Sequence, residues 1–207
     1  MDSCCSTEMI ANGERRRVLW IVLAINATMF VVELVVGLIA GSVALQADSL
    51  DMLGDTLVYG FSLFVVTRGP VWKGRAAMLK AAIMFAFAAA ILAQVVIKLV
   101  TRTVPTAELV GVTGVVVLAA NLVCLSLLYR HRADDINMRS TWICSRNDIV
   151  ANVAVIASAG AVALTASMWP DVLVSLGIVA LFVRSAAGVY LEARRVDRVP
   201  LRADRAA

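Results

Sequence analysis

The chain has 207 residues, of which 61% are hydrophobic and 16% are charged, and its formal net charge is +4. A water-soluble domain has about 45–50% apolar and about 25% charged residues, so this composition indicates a membrane protein. Because a membrane-spanning helix takes about 20 residues, the chain accommodates about six or seven spans and leaves no room for a soluble enzyme domain. In so hydrophobic a chain the basic residues indicate cytoplasmic loops, and we expect no nucleic-acid partner.

Hydrophobic stretches and helix breakers predict an all-α membrane protein with six transmembrane helices. The spans are expected at about residues 18–40, 43–66, 79–100, 109–129, 141–166 and 171–191. The first stretch exceeds the usual signal-peptide core of about 7–15 residues, so we expect it to be retained. Gly41-Ser42 predicts a very short turn between the first two spans, and Trp169-Pro170 predicts a turn before the last.

This pattern divides the chain into three parts. Residues 1–17 form an N-terminal cytoplasmic segment, residues 18–192 the six-span domain, and residues 193–207 a short basic cytoplasmic tail. A tail of about 15 residues is too short for a core of its own, so no soluble C-terminal domain is expected.

Lysine and arginine are unevenly distributed between the two sides of the six predicted spans. Fifteen of the 19 fall on the side of the termini, namely Arg15, Arg16, Arg17, Arg68, Lys73, Arg75, Lys80, Arg130, Arg132, Arg139, Arg194, Arg195, Arg198, Arg202 and Arg205. Lys98 and Arg102 fall on the other side, so the positive-inside rule predicts that both termini are cytoplasmic. Arg146 and Arg184 lie within spans, where they would snorkel to the interface or pair with a buried acid.

The second predicted span contains three aspartates in the segment QADSLDMLGD. Asp51 and Asp55 lie about 40° apart around a helix and Asp48 about 20° from Asp55, so all three share one face. A carboxylate at the membrane centre costs roughly 2.5–3.5 kcal/mol, which indicates a function rather than a packing role.

Two other predicted spans carry aligned polar side chains. Cys144 and Asp148 are spaced i, i+4 in the fifth span, and Asn152 extends the same stripe. Asn26 and Glu33, seven residues apart in the first span, also face one way. The asparagines have an alternative role as hydrogen-bonding links between helices. The carboxylates need protons or a shared cation, and oxygen ligands with one thiolate are typical of a divalent-metal site.

Three segments resemble the transmembrane domain of the cation diffusion facilitator family. They are GSVALQADSLDMLGD, NMRSTWICSRNDIVAN and WPDVLVSLGIVALFVRSA, and the resemblance extends over nearly all of residues 18–192. It implies a six-span, proton-coupled exporter of Zn²⁺ and related ions, which is not an enzyme. Family members bind metal with a His/Asp-x-x-x-Asp pair in the second span and a His-x-x-x-Asp pair in the fifth. The matching positions here are Asp51, Asp55, Cys144 and Asp148.

The resemblance also implies the cargo and the supporting residues. We expect Zn²⁺ as the transported ion, with Cd²⁺, Co²⁺, Fe²⁺ or Mn²⁺ as alternatives, and no permanently bound cofactor. Asp48, Asn152, Asn26 and Glu33 are expected to orient the ligands or to relay protons. Cys144 replaces the usual histidine, which favours softer cations if it binds metal; the alternative is that it packs as a small hydrophobic residue. A homodimer in a bacterial inner membrane is expected.

Two patterns lie outside the predicted spans. Cys4 and Cys5 offer soft ligands that would capture a cation before it enters the helices, although a terminus without structure is the alternative. His131 is the sole histidine, which excludes a site built from several histidines.

Two other functions account for part of the pattern. The first is a non-transporting membrane metal-binding protein, or a regulatory partner of a full-length exporter. The second is an intramembrane aspartyl protease, because Asp55 and Asp148 lie on different helices. Such enzymes place one aspartate in Gly-x-Gly-Asp, whereas Asp55 here follows Met52-Leu53-Gly54. We therefore favour the transporter.

Overall fold

A computed structural model of the chain describes residues 13–65, 70–130 and 136–198, with side chains for residues 17–57, 60, 79, 81–130, 142 and 145–188. Every regular element in these ranges is an α-helix. The helices are α1 (Gly13–Ala40), α2 (Val43–Val65), α3 (Pro70–Thr101), α4 (Ala107–Tyr129), α5 (Ile136–Thr165) and α6 (Trp169–Arg198). Their number and order confirm the predicted all-α fold.

Three helices extend beyond the apolar stretches that predicted them. Helix α3 begins at Pro70 and α5 at Ile136, each several residues before the predicted span. The prediction of a turn at Trp169-Pro170 was wrong, since α6 begins at Trp169 and continues to Arg198. Proline is tolerated in the first turn of a helix because its missing N–H would have no intrahelical acceptor there.

The helices are long enough to cross a membrane. Five contain a sufficiently long apolar stretch, at Arg17–Ala40, Ala81–Thr101, Ala107–Tyr129, Ser145–Thr165 and Trp169–Gly188. The described part of α2, which carries three aspartates, is not among these stretches. Its 23 residues nevertheless extend about 35 Å at about 1.5 Å per residue, more than the hydrocarbon thickness of about 30 Å. The chain is a multi-pass membrane protein.

Helix α2 has a central position in the bundle. Helices α1, α2, α4 and α5 pack together, and α3 pairs with α6. Helix α2 contacts α1, α3, α5 and α6, so it joins the group of four to the pair. The buried face of α2 is therefore surrounded by other helices.

Short connections hold the helix ends together at one end of the bundle. Helix α1 stops at Gly41, whose φ of 64° is readily adopted by glycine. The N–H of Ser42 then donates to the carbonyl oxygen of Gly37 at 2.9 Å, and α2 starts immediately. The N–H of Thr106, before α4, donates to the carbonyl oxygen of Ala40 at 2.9 Å. We name this end, which also contains the α3–α4 and α5–α6 connections, the Gly41 end.

The interior has two apolar clusters with polar residues between them. The larger cluster lies toward the Gly41 end and combines residues of all six helices. The smaller cluster, toward the opposite end, comprises Leu19, Val22, Cys124 and Leu128. Along α1, α2, α4 and α5, buried polar residues occupy the intervening positions, and we name the aspartate, glutamate and asparagine side chains among them the polar layer: Asn26, Glu33, Asp48, Asn121, Asp148 and Asn152.

The outer surface is correspondingly apolar. Ile39 of α1, Val100 of α3 and Leu164 of α5 are each more than 70% exposed. An apolar exterior around a polar interior is the arrangement expected of a protein whose outer helix faces contact lipid. The polar layer is thus the part of the structure that requires a functional explanation.

Candidate functional site

The acidic face of α2 enters the polar layer at Asp48. This side chain is 1% exposed, and no N–H or hydroxyl donor among the described residues reaches either carboxylate oxygen. Asp51 and Asp55 follow one and two turns later and are half-buried. The burial of α2 therefore decreases from Asp48 toward the end of the bundle opposite the Gly41 end.

Glu33 of α1 forms an acidic pair with Asp48. The two side chains interact directly, and the charges of Asp51 and Asp148 also act on Glu33. Glu33 is fully buried, and its oxygens receive no hydrogen bond from any donor among the described residues. Ionised carboxylates are acceptors only, so a hydrogen bond within this pair needs a proton on one member. The Glu33–Asp48 pair thus needs either a proton or a cation.

Helix α5 contributes Asp148 and Asn152 to the same layer. Asp148 is 6% exposed and Asn152 is fully buried. The amide Nδ2 of Asn152 donates to the backbone oxygen of Asp148 at 2.7 Å, whereas its Oδ1 lacks a hydrogen-bond partner within the described ranges. On α4, the buried thiol of Cys124 lies within electrostatic reach of Asp148. The sequence analysis did not single out Cys124.

The polar layer contains many more unsatisfied acceptors than donors. Among the described residues of the layer, the unsatisfied acceptors are Asn26 Oδ1, Asn152 Oδ1 and both oxygens of Glu33 and of Asp48. The single unsatisfied donor in the layer is Nδ2 of Asn121. Buried polar atoms normally have partners, because desolvation without a hydrogen bond is costly. These buried oxygens are acceptors that a proton, a metal cation or a water molecule would satisfy.

The predicted ligands with described side chains, Asp51, Asp55 and Asp148, do not form a closed cluster. Among the side chains described, no three histidine, cysteine, aspartate or glutamate residues are close enough to hold one metal ion. The side chain of Cys144 lies outside the described residues, so the four-residue ligand set stays a prediction. Cys4, Cys5 and His131 also lie outside them.

The two arginines predicted within spans are both exposed. The guanidinium of Arg146 lies 5.7 Å from the centre of the Trp142 ring, which in turn lies 6.5 Å from the Tyr129 ring. Aromatic residues of this kind are common at membrane–water interfaces. Arg146 therefore occupies a surface position on α5, and Arg184 is exposed on α6.

A buried ion pair at the Gly41 end was not predicted as a pair. Nζ of Lys98 on α3 lies 2.8 Å from Oδ2 of Asp171 on α6, and the two side chains are 2% and 1% exposed. Asp171 also accepts hydrogen bonds from the first turn of α2. The available signal was a lysine in the last turn of one span and an aspartate at the start of another, on the same predicted side.

Comparison with protein families supports the resemblance noted in the sequence. Residues 19–71 and 72–196 match the family described as the cation efflux transmembrane domain. The matched residues include every member of the polar layer and both members of the buried ion pair.

Two curated proteins are similar along most of this chain. The metal cation efflux system protein CzcD of Cupriavidus metallidurans is 28% identical in an alignment of 201 positions that covers 87% of this chain and 63% of that protein. The cation efflux system protein CzcD of Alcaligenes sp. (strain CT14) is 28% identical in an alignment of 173 positions that covers 77% of this chain and 54% of that protein. The chain thus spans less than two thirds of the length of either relative.

Proposed function

The chain belongs to the cation efflux family, whose members are transporters and not enzymes, and on this basis we propose that it exports a divalent metal cation in exchange for protons. One observation supports the exchange most directly. The polar layer, enclosed between two apolar clusters, contains buried carboxylate oxygens without donors. Such oxygens can bind a cation or a proton, and a transporter can use both in turn.

The proposed metal ligands are Asp51, Asp55, Cys144 and Asp148. Two aspartates of α2 are half-buried and Asp148 of α5 belongs to the polar layer, while α2 and α5 contact each other. Carboxylates with one thiolate suit Zn²⁺ first, and Cd²⁺, Co²⁺, Fe²⁺ or Mn²⁺ after it. The metal is the substrate, and no permanently bound cofactor takes part.

The proposed proton carrier is the Glu33–Asp48 pair. Metal ligands must lose their protons to bind, so metal uptake releases protons and acid on the release side returns them. Glu33 and Asp48 need a proton when no cation is near. Asn26 and Asn152 support the metal ligands, and Asn152 lies one turn from Asp148 on α5. The dithiol of Cys4 and Cys5 captures metal, and two copies of the chain form the transporting unit.

Flux through the purified protein in liposomes tests this proposal. Asp148→Asn and Asp55→Asn keep the shape of the side chain but remove its charge, and each should lower Zn²⁺ flux by roughly tenfold or more. Asp48→Asn should have a smaller effect. Glu108→Gln, in the exposed first turn of α4, is the matched control and should leave flux unchanged.

Two results would contradict the proposal. If Asp148→Asn exports metal at the parent rate, the site lies elsewhere. If the parent binds Zn²⁺ without transporting it, the chain is a membrane metal-binding or regulatory protein.

A further inference from the structure

The carboxylate of Asp171 binds residues of α2, α3 and the α1–α2 connection at the Gly41 end. Its Oδ2 accepts from the backbone N–H of Val43 at 2.9 Å, and its Oδ1 from the N–H of Ala44 at 3.3 Å. Oδ1 also accepts from the hydroxyl of Ser42 at 2.6 Å. The Nζ of Lys98 donates to Oδ2 at 2.8 Å. One side chain of α6 therefore binds the first turn of α2 and the last turn of α3.

The backbone N–H groups in the first turn of α2 all have hydrogen-bond acceptors. The first four N–H groups of a helix have no intrahelical acceptor. Asp171 binds the first two, the hydroxyl oxygen of Ser42 accepts from Leu45 at 3.1 Å, and the Ser42 carbonyl accepts from the N–H of Gln46 at 3.3 Å. The anionic carboxylate also faces the positive end of the helix dipole.

Lys98 balances the charge of Asp171 and extends the connection to α1. Its Nζ donates to the carbonyl oxygen of Gly41 at 2.6 Å as well as to Asp171. A buried carboxylate without a counter-charge is strongly destabilising, so each member of this pair depends on the other. The ends of α1, α2, α3 and α6 are thereby joined at one point.

The first turn of α2 is directly connected to the acidic face. Asp48 lies five residues after Val43, which is about 7.5 Å along the helix axis. Residues 42–49 are all buried, and no glycine or proline interrupts α2 before Gly54. A shift or rotation of the first turn would therefore be transmitted to Asp48 and to the aspartates beyond it.

We propose that Asp171 is a positioning residue for transport, because it anchors the first turn of α2 and thereby sets the height and rotation of the acidic face within the polar layer. The transport part of this proposal rests on the proposed function, whereas the anchoring of α2 does not. The anchor also joins the α3–α6 pair to the acidic helix at the Gly41 end.

The test combines amide hydrogen exchange with Zn²⁺ flux in the full chain. Asp171→Asn weakens hydrogen bonds to a charged acceptor, so exchange in residues 43–49 should rise by roughly tenfold or more. The concentration of Zn²⁺ at half-maximal flux should rise with it. Lys98→Met should act like Asp171→Asn, and the double variant should be no worse than either single one.

A charge exchange separates positioning from simple ion pairing. Asp171→Lys with Lys98→Asp restores two opposite charges, but an ammonium cannot accept from the N–H groups of α2 and opposes its dipole. This double variant should stay as defective as Asp171→Asn. The controls, Glu108→Gln and Arg102→Gln, change exposed charges at the same end and should leave both measurements unchanged.

Each outcome decides the proposal. Three results would overturn it. The first is unchanged amide hydrogen exchange in Asp171→Asn, and the second is faster hydrogen exchange without a change in the Zn²⁺ concentration at half-maximal flux. The third is recovery of both measurements in the variant with the two charges exchanged. If Asp171→Asn does not insert into the membrane, Ser42→Ala replaces it in the test. Ser42→Ala removes the two hydrogen bonds of the hydroxyl but keeps the Lys98–Asp171 ion pair, so amide hydrogen exchange near Leu45 should rise. No rise would overturn the anchor. If the parent moves no metal while Asp171→Asn still raises exchange, the proposed function fails and the anchor stands.

Discussion

Glu33 is a buried carboxylate that needs a proton or a nearby cation to balance its charge. It sits beside Asp48 without a donor among the described residues, and no arginine described in the structure is buried near it to balance the charge. The pair can hold one proton between its members, or it can lose that proton when a cation is bound nearby. This is the chemistry that an exchanger requires from a group that does not itself hold the metal.

Glu33→Gln should separate proton coupling from metal binding. The amide keeps the size of the side chain but cannot exchange a proton, so Zn²⁺ should still bind while an imposed pH gradient no longer accelerates its flux. Calorimetric Zn²⁺ titration and liposome flux with and without the gradient measure the two properties. A loss of Zn²⁺ binding would show instead that Glu33 is a metal ligand.

Cys144 should control the preference between Zn²⁺ and Cd²⁺. A thiolate ligand favours the softer Cd²⁺, so Cys144→His should lower the Cd²⁺ to Zn²⁺ flux ratio, and Cys144→Ala should weaken Cd²⁺ transport by on the order of tenfold. Competition between the two ions in liposomes measures the ratio. Cys124→Ala, which changes a buried cysteine of α4, is the comparison. If Cys144→Ala changes neither ion, oxygens alone hold the metal.

At the scale of the helices, α4 and α5 approach closely through glycine. A Cβ at Gly114 would lie 2.7 Å from Cγ1 of Ile156, whereas a Cβ at Gly111 would lie 3.8 Å from Cβ of Ala159. Small residues allow membrane helices to approach closely. Gly114 thus sets the distance between two helices that contribute Asn121 and Asp148 to the polar layer.

Gly114→Ala should destabilise the α4–α5 contact by about 1–3 kcal/mol through overpacking, whereas Gly111→Ala should be tolerated. Ile156→Ala lacks the clashing carbon, so adding Gly114→Ala to that variant should cost little further stability. Ile156→Val retains a carbon at that position, so adding Gly114→Ala to it should still be destabilising. Thermal unfolding in detergent compares the single and double variants with the parent protein. Equal stability of Gly114→Ala and Gly111→Ala would contradict the close approach.

At the scale of the whole molecule, the two ends of the bundle differ in charge and connectivity. Helix α1 starts and α6 finishes at the end opposite the Gly41 end. Lys98 and Arg102 lie at the Gly41 end, whereas the sequence predicts 15 of the 19 lysines and arginines on the opposite side. We predict that the Gly41 end faces away from the cytoplasm.

Reporter fusions test this orientation. A reporter after Ala207 should be cytoplasmic, and one inserted in the connection between α3 and α4 should be on the other side. The reason is that six antiparallel spans return the chain to its starting side. Two reporters on the same side would contradict the six-span arrangement.

The sequence by itself determined the class, the number of helices and the faces on which polar residues lie. Hydropathy and helical periodicity are local properties, so the carboxylates of α2 and the stripe from Asp148 to Asn152 follow from spacing alone. The ends of α3, α5 and α6 were less predictable, because a helix can continue into charged residues after its apolar stretch stops.

Only the tertiary structure decided which side chains meet. Glu33 and Asp48 lie on different helices, and Lys98 and Asp171 are separated by 73 residues. Their partners depend on how each helix is rotated and how far it is displaced along its neighbour. Many residues across several helices set that packing together, so spacing within one helix cannot determine it. The sequence therefore showed that charges would be buried, whereas helix packing decided which charge balances which.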